Sequence, residues 1–342
     1  MSRTWTRWMP AAVAALLVAG SATWAGSAQA DELPQRTPDE VLTMLAEYDV
    51  QPFSGEFEQS SDLGLPELPS DLPASGGDAA AVSSALDMLT SDHHGRVYVG
   101  GEDQLRVQSF DTFGERDLIA DGNEVWAYDS SDNSATHLTV PQGQARQHPG
   151  PSTTPQALAD QVLAAVQPST ELSVRENVEV AGRTAYALVL TPRTEDTLVG
   201  EVSIAVDGET GMPLRVAITA HGQDHPALEV AYTDLTMSAP KSDLFSFSPP
   251  AGADVEQITP PQGRQTAPAA KNGQHVFGTG WQTVLASAPG AVDLSDSPLV
   301  NQLTTAVDGG RAVSTDLFSV LITPQGQVFL GAVPVERLQA VA

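Results

Sequence analysis

The residues with the best spacing for metal chemistry are two histidines with an acid between them. His221 and His225 enclose Asp224. The three residues lie across a glycine turn rather than along one helix face, so their side chains are not expected to share a metal ion. His93 and His94 precede a predicted strand and are interpreted as solvated turn residues. These histidines therefore predict no metal site.

No group of residues in the sequence predicts catalysis. Asp39 and Glu40 follow Thr37 and Pro38, a pattern typical of helix capping rather than of a catalytic pair. The sequence contains no nucleophile elbow, phosphate-binding loop, zinc-protease motif or dinucleotide fingerprint, and no cysteine. We expect a protein that is not an enzyme and has no catalytic residue, metal or cofactor. The alternative, an exported enzyme that uses barrel carboxylates, has no acid–base pair that can be named.

Residues 1–30 have the features of a secretory signal peptide. Arg3 and Arg7 precede a short apolar stretch over residues 11–20, and Ala28-Gln29-Ala30 is a small-residue cleavage pattern. We expect cleavage after Ala30 and a location that is secreted or in the cell envelope, outside the cytoplasmic membrane. An uncleaved N-terminal anchor is the alternative, although the stretch is shorter than a transmembrane helix.

The chain is strongly acidic. Loss of Arg3 and Arg7 with the signal peptide takes the formal net charge from −27 to −29. Such a surface repels nucleic acid and anionic membranes, so no nucleic-acid partner is expected. The excess charge is interpreted as an aid to solubility, and a basic protein partner is the alternative.

The first half of the chain predicts a few helices and many strands. Helices are predicted at 37–49, at 78–90 and from Thr154-Pro155 to about Gln167. Between the first two, residues 64–77 contain several prolines and cannot form a regular element. Leu65, Leu68 and Leu72 make this segment apolar enough to act as a flap over an apolar opening, and a disordered insertion is the alternative.

About ten strands follow from alternation of apolar and polar residues, and most have only one apolar face. Such strands build an antiparallel sheet, and this number is expected to curl it with the apolar side concave. Three short helices cannot cover that side, so an apolar cavity is predicted. The predicted strands are 53–59, 96–99, 105–108, two strands on either side of the turn Asp121-Gly122-Asn123, the first beginning at Leu118, and then 171–180, 183–191, 197–206, 213–221 and 227–236. The predicted cavity-lining residues are Phe57, Leu105, Val107, Trp126, Tyr128, Leu188, Leu190, Val202, Ile204, Val216, Ile218, Leu228 and Val230.

The C-terminal part is predicted to be a separate module. Residues 257–272 are rich in Pro, Gln and Ala and are interpreted as a linker. Beyond it, residues 273–342 predict a small α+β module with helices at 279–287, 299–307 and 334–341 and a hairpin at 318–333. The expected organisation is a signal peptide at 1–30, a half-barrel domain at 31–256, the linker and this module.

Three segments resemble the LolA/LolB and RseB (MucB) superfamily of bacterial lipoprotein-handling proteins. Phe53 to Gln59 is similar to the family's opening strand, and Ile119 to Asp129 is similar to its Asp-Gly turn followed by Trp-x-Tyr-Asp. Leu244 to Gly252 is similar to its Phe-x-Phe-x-Pro-Pro-x-Gly closing strand. The resemblance covers about residues 35–256 and is nearest to exported LolA-like proteins of actinobacteria.

The resemblance implies an open barrel of about eleven strands, closed by helices, whose cavity holds lipoprotein acyl chains. The family's lid is latched by an arginine, for which Arg96 and Arg106 are the candidates here. We therefore expect an α+β fold with an open antiparallel half-barrel, helices on its concave face, and a monomeric carrier of a lipid or acylated protein. The expected protein partner is a lipoprotein exporter. The alternative is an RseB-like regulator that binds a membrane-bound anti-sigma factor.

Overall fold

The computed structural model describes residues 33–65, 92–140 apart from 102, 112 and 113, then 154, 155, 159, 169–258, 275–290 and 303–342. The predicted helix at 78–90, most of that at 154–167 and most of the linker lie outside these residues. Among the described residues, no helix combines the length and the hydropathy needed to cross a bilayer.

The fold is dominated by one large open sheet. Its strands are β1 (Phe53–Ser61), β2 (His93–Gly101), β3 (Gln104–Asp111), β4 (Gly114–Asp121), β5 (Glu124–Asp129), β6 (Ser134–Thr139), β7 (Thr170–Val180), β8 (Arg183–Pro192), β9 (Val199–Asp207), β10 (Pro213–Ala220), β11 (Leu228–Thr236) and β12 (Asp254–Ile258). The predicted strands of residues 53–236 are confirmed.

The strands pair in the order β12-β6-β5-β4-β3-β2-β1-β11-β10-β9-β8-β7, with β12 and β7 at the two edges. All pairs are antiparallel except β12 with β6, which is parallel. The fully antiparallel sheet expected from the sequence is therefore corrected at this edge. Gln257 and Ile258, which the sequence assigned to the linker, are the last residues of β12.

The two faces of the sheet differ in what they contact. We call the face that carries Phe57, Val107 and Val216 the inner face, and the face that carries Arg106 and Trp126 the outer face; strand register assigns the other residues to one or the other. The sheet curls at the β7 end, since β7 and β11 come into contact although three strands separate them.

Helix α1 (Pro38–Ala46) covers part of the inner face. Thr37 begins it: the Thr37 hydroxyl accepts from the backbone N–H of Glu40, and the Glu40 carboxylate accepts from that of Thr37, a complete capping box. Val41 and Leu45 are buried in the core of the large sheet, and α1 packs on β7, β8 and β9. This confirms the first predicted helix, over a shorter range.

The described residues of the C-terminal part, 275–290 and 303–342, form a second sheet of six strands. Its strands are β13 (His275–Phe277), β14 (Val284–Ala286), β15 (Thr305–Val307), β16 (Gly310–Ser314), β17 (Ser319–Ile322) and β18 (Val328–Gly331), in the order β13-β14-β18-β17-β16-β15. Helix α2 (Val335–Gln339) packs on β17 and β18. The predicted hairpin and final helix are confirmed.

One of the helices predicted in this module is wrong, and the helix predicted at 299–307, of which Leu303 is helical, ends before residue 305. Residues 279–287 form a 3₁₀ turn at Gly280–Gln282 followed by β14, because Gly278 and Gly280 adopt positive φ angles of 73° and 57° that end any regular helix. Residues 305–307 form β15 instead of the end of a helix. The module is therefore mainly a sheet.

Buried contacts join the second sheet to the first. The Trp281 indole lies in the core of the large sheet and donates to the Thr170 hydroxyl at 2.8 Å. The backbone N–H of Leu198 donates to the carbonyl of Ala332 at 2.9 Å. Because these contacts are buried, the two sheets are expected to unfold together.

A buried ion pair stabilises the turn that joins β9 to β10. The Asp207 side chain, 1% exposed, accepts from the Arg183 guanidinium at 2.9 and 2.8 Å and from the Thr210 hydroxyl. Burial alone would raise the pKa of Asp207, but the hydrogen bonds from Arg183 and Thr210 outweigh it and lower the pKa below its ordinary value.

Because the folded-state pKa of Asp207 is lowered, its contribution to stability is complete above the unfolded value of about 3.9 and is lost as pH falls further. Asp207→Asn should lower the free energy of unfolding by about 3 kcal/mol at neutral pH, since it leaves Arg183 without its buried partner. Urea unfolding from pH 7 to pH 2 should show a shallower acid loss in the variant. Parallel curves below about pH 4 would contradict this assignment.

Candidate functional site

The inner face is covered over one half of the sheet. On β1 and β7 to β11 it packs against α1, Trp281 and Leu317 into one continuous core, which also includes Val97, Val99 and Val107 of β2 and β3. Nine predicted cavity residues lie in this half. Seven of them are buried and two are half-buried against the same core: Phe57, Leu188, Leu190, Val202, Ile204, Val216 and Val230, then Ile218 and Leu228. In this half the apolar face is used for packing.

The inner face of the other half carries a cavity of about 380 Å³ over β2 to β6. Val107 and Leu118 supply apolar surface, and Ala127 is exposed there. The full lining is His93, Val107, Ser109, Arg116, Asp117, Leu118, Ala127, Tyr128, Asp129, Ser134 and Thr136. Small-molecule sites range from about 300 to 1,000 Å³, so this volume suits one slender ligand.

Strand register orders the inner-face side chains of β2 to β6 into three rows that cross the sheet. One end is polar, with Ser109, Arg116, Asp129 and Ser134 in neighbouring positions on β3 to β6. The middle row is Val97, Val107, Leu118, Ala127 and Thr136. The far row of Val99, Leu105, Ala120, Val125 and Leu138 is apolar but is not part of the cavity lining, and Val99 and Leu105 pack into the core. The cavity therefore has a polar end and an apolar floor at Val107, Leu118 and Ala127.

The charges at the polar end are paired. The Arg116 guanidinium lies 3.0 Å from the Asp129 carboxylate, which also accepts from the hydroxyl and backbone N–H of Ser131. Burial would raise the pKa of Asp129, but the hydrogen bonds from Ser131 and Arg116 outweigh it and lower the pKa. Asp129 is therefore a carboxylate at neutral pH and neutralises Arg116.

The structure corrects the predicted position of Trp126 and Tyr128. They pair with Ile119 and Asp117 on the outer face, opposite to Val107 and Leu118. Tyr128 borders the cavity, but its ring contacts Phe247 on the outer face at 5.6 Å between centroids. The Trp126 ring stacks on His137 at 4.1 Å and also contacts Phe247.

These aromatic rings belong to a separate cluster on the outer face. Residues 244–252, which we call the closing segment, cover this cluster. The predicted closing strand at 244–252 is wrong, because it begins in a 3₁₀ helix at Ser242–Phe245 and continues without strand structure. Phe245 is buried against the outer face, where a Cβ on Gly100 would meet its ring. The Trp-x-Tyr and Phe-x-Phe motifs thus pack on each other.

The two candidate latch arginines also lie on the outer face. The Arg106 guanidinium donates to the carbonyl of Leu244 at 3.2 Å and pairs with the buried Asp117 at 2.7 Å. Arg106 therefore fastens the closing segment through a backbone carbonyl. Arg96 instead forms an exposed pair with Glu56.

The predicted flap lies mostly outside the described residues, which include Leu65, half-buried, but neither Leu68 nor Leu72. Just before it, Leu63 is buried and its carbonyl accepts from the backbone N–H of Asp316 in the second sheet. His225 lies 3.4 Å from Asp62. Within the described ranges, no three His, Asp or Glu side chains group as a metal site.

No family model matches the sequence, and the comparison with curated proteins finds no match. Solved structures with similar folds include the complex of MucA and MucB from Pseudomonas aeruginosa, at 16% identity and a TM-score of 0.46 over 89% of this chain and 96% of that one. A LolA superfamily protein from Nitrosomonas europaea matches at 12% identity and a TM-score of 0.26, over 62% of this chain and 99% of that one.

An uncharacterised conserved protein from Thermus thermophilus matches at 12% identity and a TM-score of 0.36, over 64% of this chain and 98% of that one. MucB and the LolA superfamily are the names that the sequence resemblance indicated. With TM-scores below 0.5, these likenesses assign no function to this chain.

The outer-face position of Trp126 separates its structural role from ligand binding. Trp126→Ala should lower the free energy of unfolding by about 2 kcal/mol, since it removes a half-buried ring stacked on His137 and Phe247. It should leave the affinity for the uncharged dye Nile red unchanged, because the groove is on the other face. Urea unfolding and dye titration measure the two effects, and a loss of affinity in a variant of unchanged stability would contradict this placement.

Proposed function

We propose that this chain is an extracytoplasmic carrier that holds one acyl chain of a lipid or acylated protein in the groove over β2 to β6, without covalent chemistry. One observation carries the proposal. The inner face is packed shut over β1, β7 to β11 and the Val97, Val99 and Val107 positions of β2 and β3, but it keeps a 380 Å³ cavity toward β4 to β6, where Leu118 and Ala127 form an apolar floor. The predicted signal peptide supports a location outside the cytoplasmic membrane.

The size of the groove sets the size of the ligand. At about 30 Å³ for each water-sized group, the cavity accommodates about a dozen methylene groups. Burying each of them contributes about 0.8 kcal/mol. Full burial of the chain would contribute about 10 kcal/mol gross, before the cost of ordering the chain and the side chains around it. A lauroyl chain therefore fits the groove in volume.

A larger side chain at Ala127, on the floor of the cavity, should fill the space proposed for the acyl chain. Ala127→Phe should weaken the binding of monolauroylglycerol at least tenfold, because the added ring occupies the middle row between Leu118 and Thr136. Displacement of Nile red from the purified mature protein measures the affinity.

The matched control for that variant is Ala231→Phe, which adds the same ring to the outer face of β11, opposite the packed half. It should bind as the unmodified protein does. If neither the unmodified protein nor the control binds the amphiphile, and protein from its own host carries no lipid in native mass spectrometry, the carrier proposal fails.

A regulator that binds a membrane-bound anti-sigma factor is the second candidate, and the second sheet supplies the observation that favours it. Val276, Leu285 and Leu330 form a continuous row across β13, β14 and β18 and are exposed at 65%, 51% and 39%. An exposed apolar row on a sheet is typical of a surface that binds another protein.

This candidate predicts a variant that separates partner binding from lipid binding. Leu285→Asp should abolish co-purification of an anti-sigma factor from the host membrane and leave Nile red binding unchanged, because a charge in the middle of the row cannot be buried at an apolar interface. Val50→Asp is the control, since Val50 is an exposed apolar residue of another region, next to β1. Equal recovery of the partner with both variants would exclude this row as the interface.

A further inference from the structure

The charges around the groove point to the class of head group that it accepts. Resting on the proposed function, we infer that the groove selects an acyl chain carried on an uncharged head group and discriminates against anionic amphiphiles such as fatty acids and lysophosphatidylglycerol. The positions of charged groups on β4, β5 and β12, set by strand register, carry this inference.

Arginine at the polar end does not provide a site for an anion. Arg116 is the only arginine or lysine among the residues that line the cavity, and Asp129 already neutralises it at 3.0 Å. Asp117 lies on the outer face and pairs with Arg106. An anionic head group at Arg116 would compete with the carboxylate of Asp129 for the guanidinium.

Strand β12 adds two further acids at the rim. It runs parallel to β6 and places Asp254 beside Ser134 and Glu256 beside Thr136, on the inner face. Both acidic residues are exposed, whereas Ser134 and Thr136 line the cavity. The rim therefore carries two carboxylates next to an ion pair, and its net charge opposes an anionic head group.

The other polar groups at this end suit a neutral head group. The hydroxyls of Ser109, Ser134 and Thr136 both donate and accept hydrogen bonds, which matches the hydroxyl and ester oxygens of an acylglycerol. The apolar floor of Val107, Leu118 and Ala127 lies next to them along the same strands. An acylglycerol then lies with its glycerol at the Arg116 end and its chain on Leu118 and Ala127.

The test compares amphiphiles that share a lauroyl chain and differ in head-group charge. Displacement of Nile red from the mature protein at low salt should give an affinity for monolauroylglycerol about ten times that for lauroyl lysophosphatidylglycerol. The difference should narrow at high salt, because screening weakens the repulsion between exposed charges. Equal affinities, or tighter binding of the anionic amphiphile, would overturn the inference and leave the carrier proposal intact.

Variants of the two rim acids, Asp254 and Glu256, test whether these acids cause the discrimination against anionic head groups. Asp254→Asn combined with Glu256→Gln should raise the affinity for lauroyl lysophosphatidylglycerol about fivefold and leave that for monolauroylglycerol unchanged. The matched control is Glu58→Gln, which removes an exposed acid from the outer face of β1 and should change neither affinity. An unchanged affinity ratio in the double variant would overturn the role of β12. Failure of every lauroyl amphiphile to bind would instead count against the proposed function.

Discussion

Burial of the inner face of one long sheet is the constraint on which the rest of this structure depends. An open antiparallel sheet with one apolar face must cover that face or bind something on it. Here α1, Trp281 and Leu317 share one core with the inner face of β1 and β7 to β11 and with Val97, Val99 and Val107 of β2 and β3. Toward β4 to β6 a cavity remains. In the proposed carrier, packing and binding divide a single surface between them.

The same division explains the placement of the charges. Two ion pairs are partly buried. Arg183 and Asp207 stabilise the turn between β9 and β10, and Arg106 and Asp117 hold the closing segment. Both are fully paired because a desolvated charge without a partner is costly. Arg116 and Asp129 instead pair at the mouth of the groove, where Arg116 stays half-exposed. The acids of β12 remain in water at the rim. These charges are therefore either paired in partly buried positions or placed at the rim of the cavity.

Much of the fold could be predicted from the sequence, because alternation of apolar and polar residues reveals strands and positive-φ turns such as Ala181-Gly182 join them. The face on which Trp126 lies could not be predicted, because both faces of β4 to β6 carry apolar residues. Only the register of β5 with β4, in which Trp126 pairs with Ile119 and Ala127 pairs with Leu118, decides between the two faces. The three-residue strands β14 and β15 are too short to show alternation, which is why helices were predicted there. The residues predicted to line the cavity in the packed half do lie on the apolar inner face. That they are covered could not be predicted, because α1, Trp281 and Leu317, which pack on them, are distant in sequence.

Photo-cross-linking tests the central claim most directly. A monoacylglycerol with a diazirine near the end of its chain is bound to the mature protein and irradiated, and the labelled peptides are mapped by mass spectrometry. The account predicts labels on the cavity-lining residues of the inner face of β3 to β6, at Val107, Leu118, Ala127 and Thr136. Labels confined to the second sheet or to the outer face, or labelling that excess unlabelled monolauroylglycerol does not reduce, would contradict it.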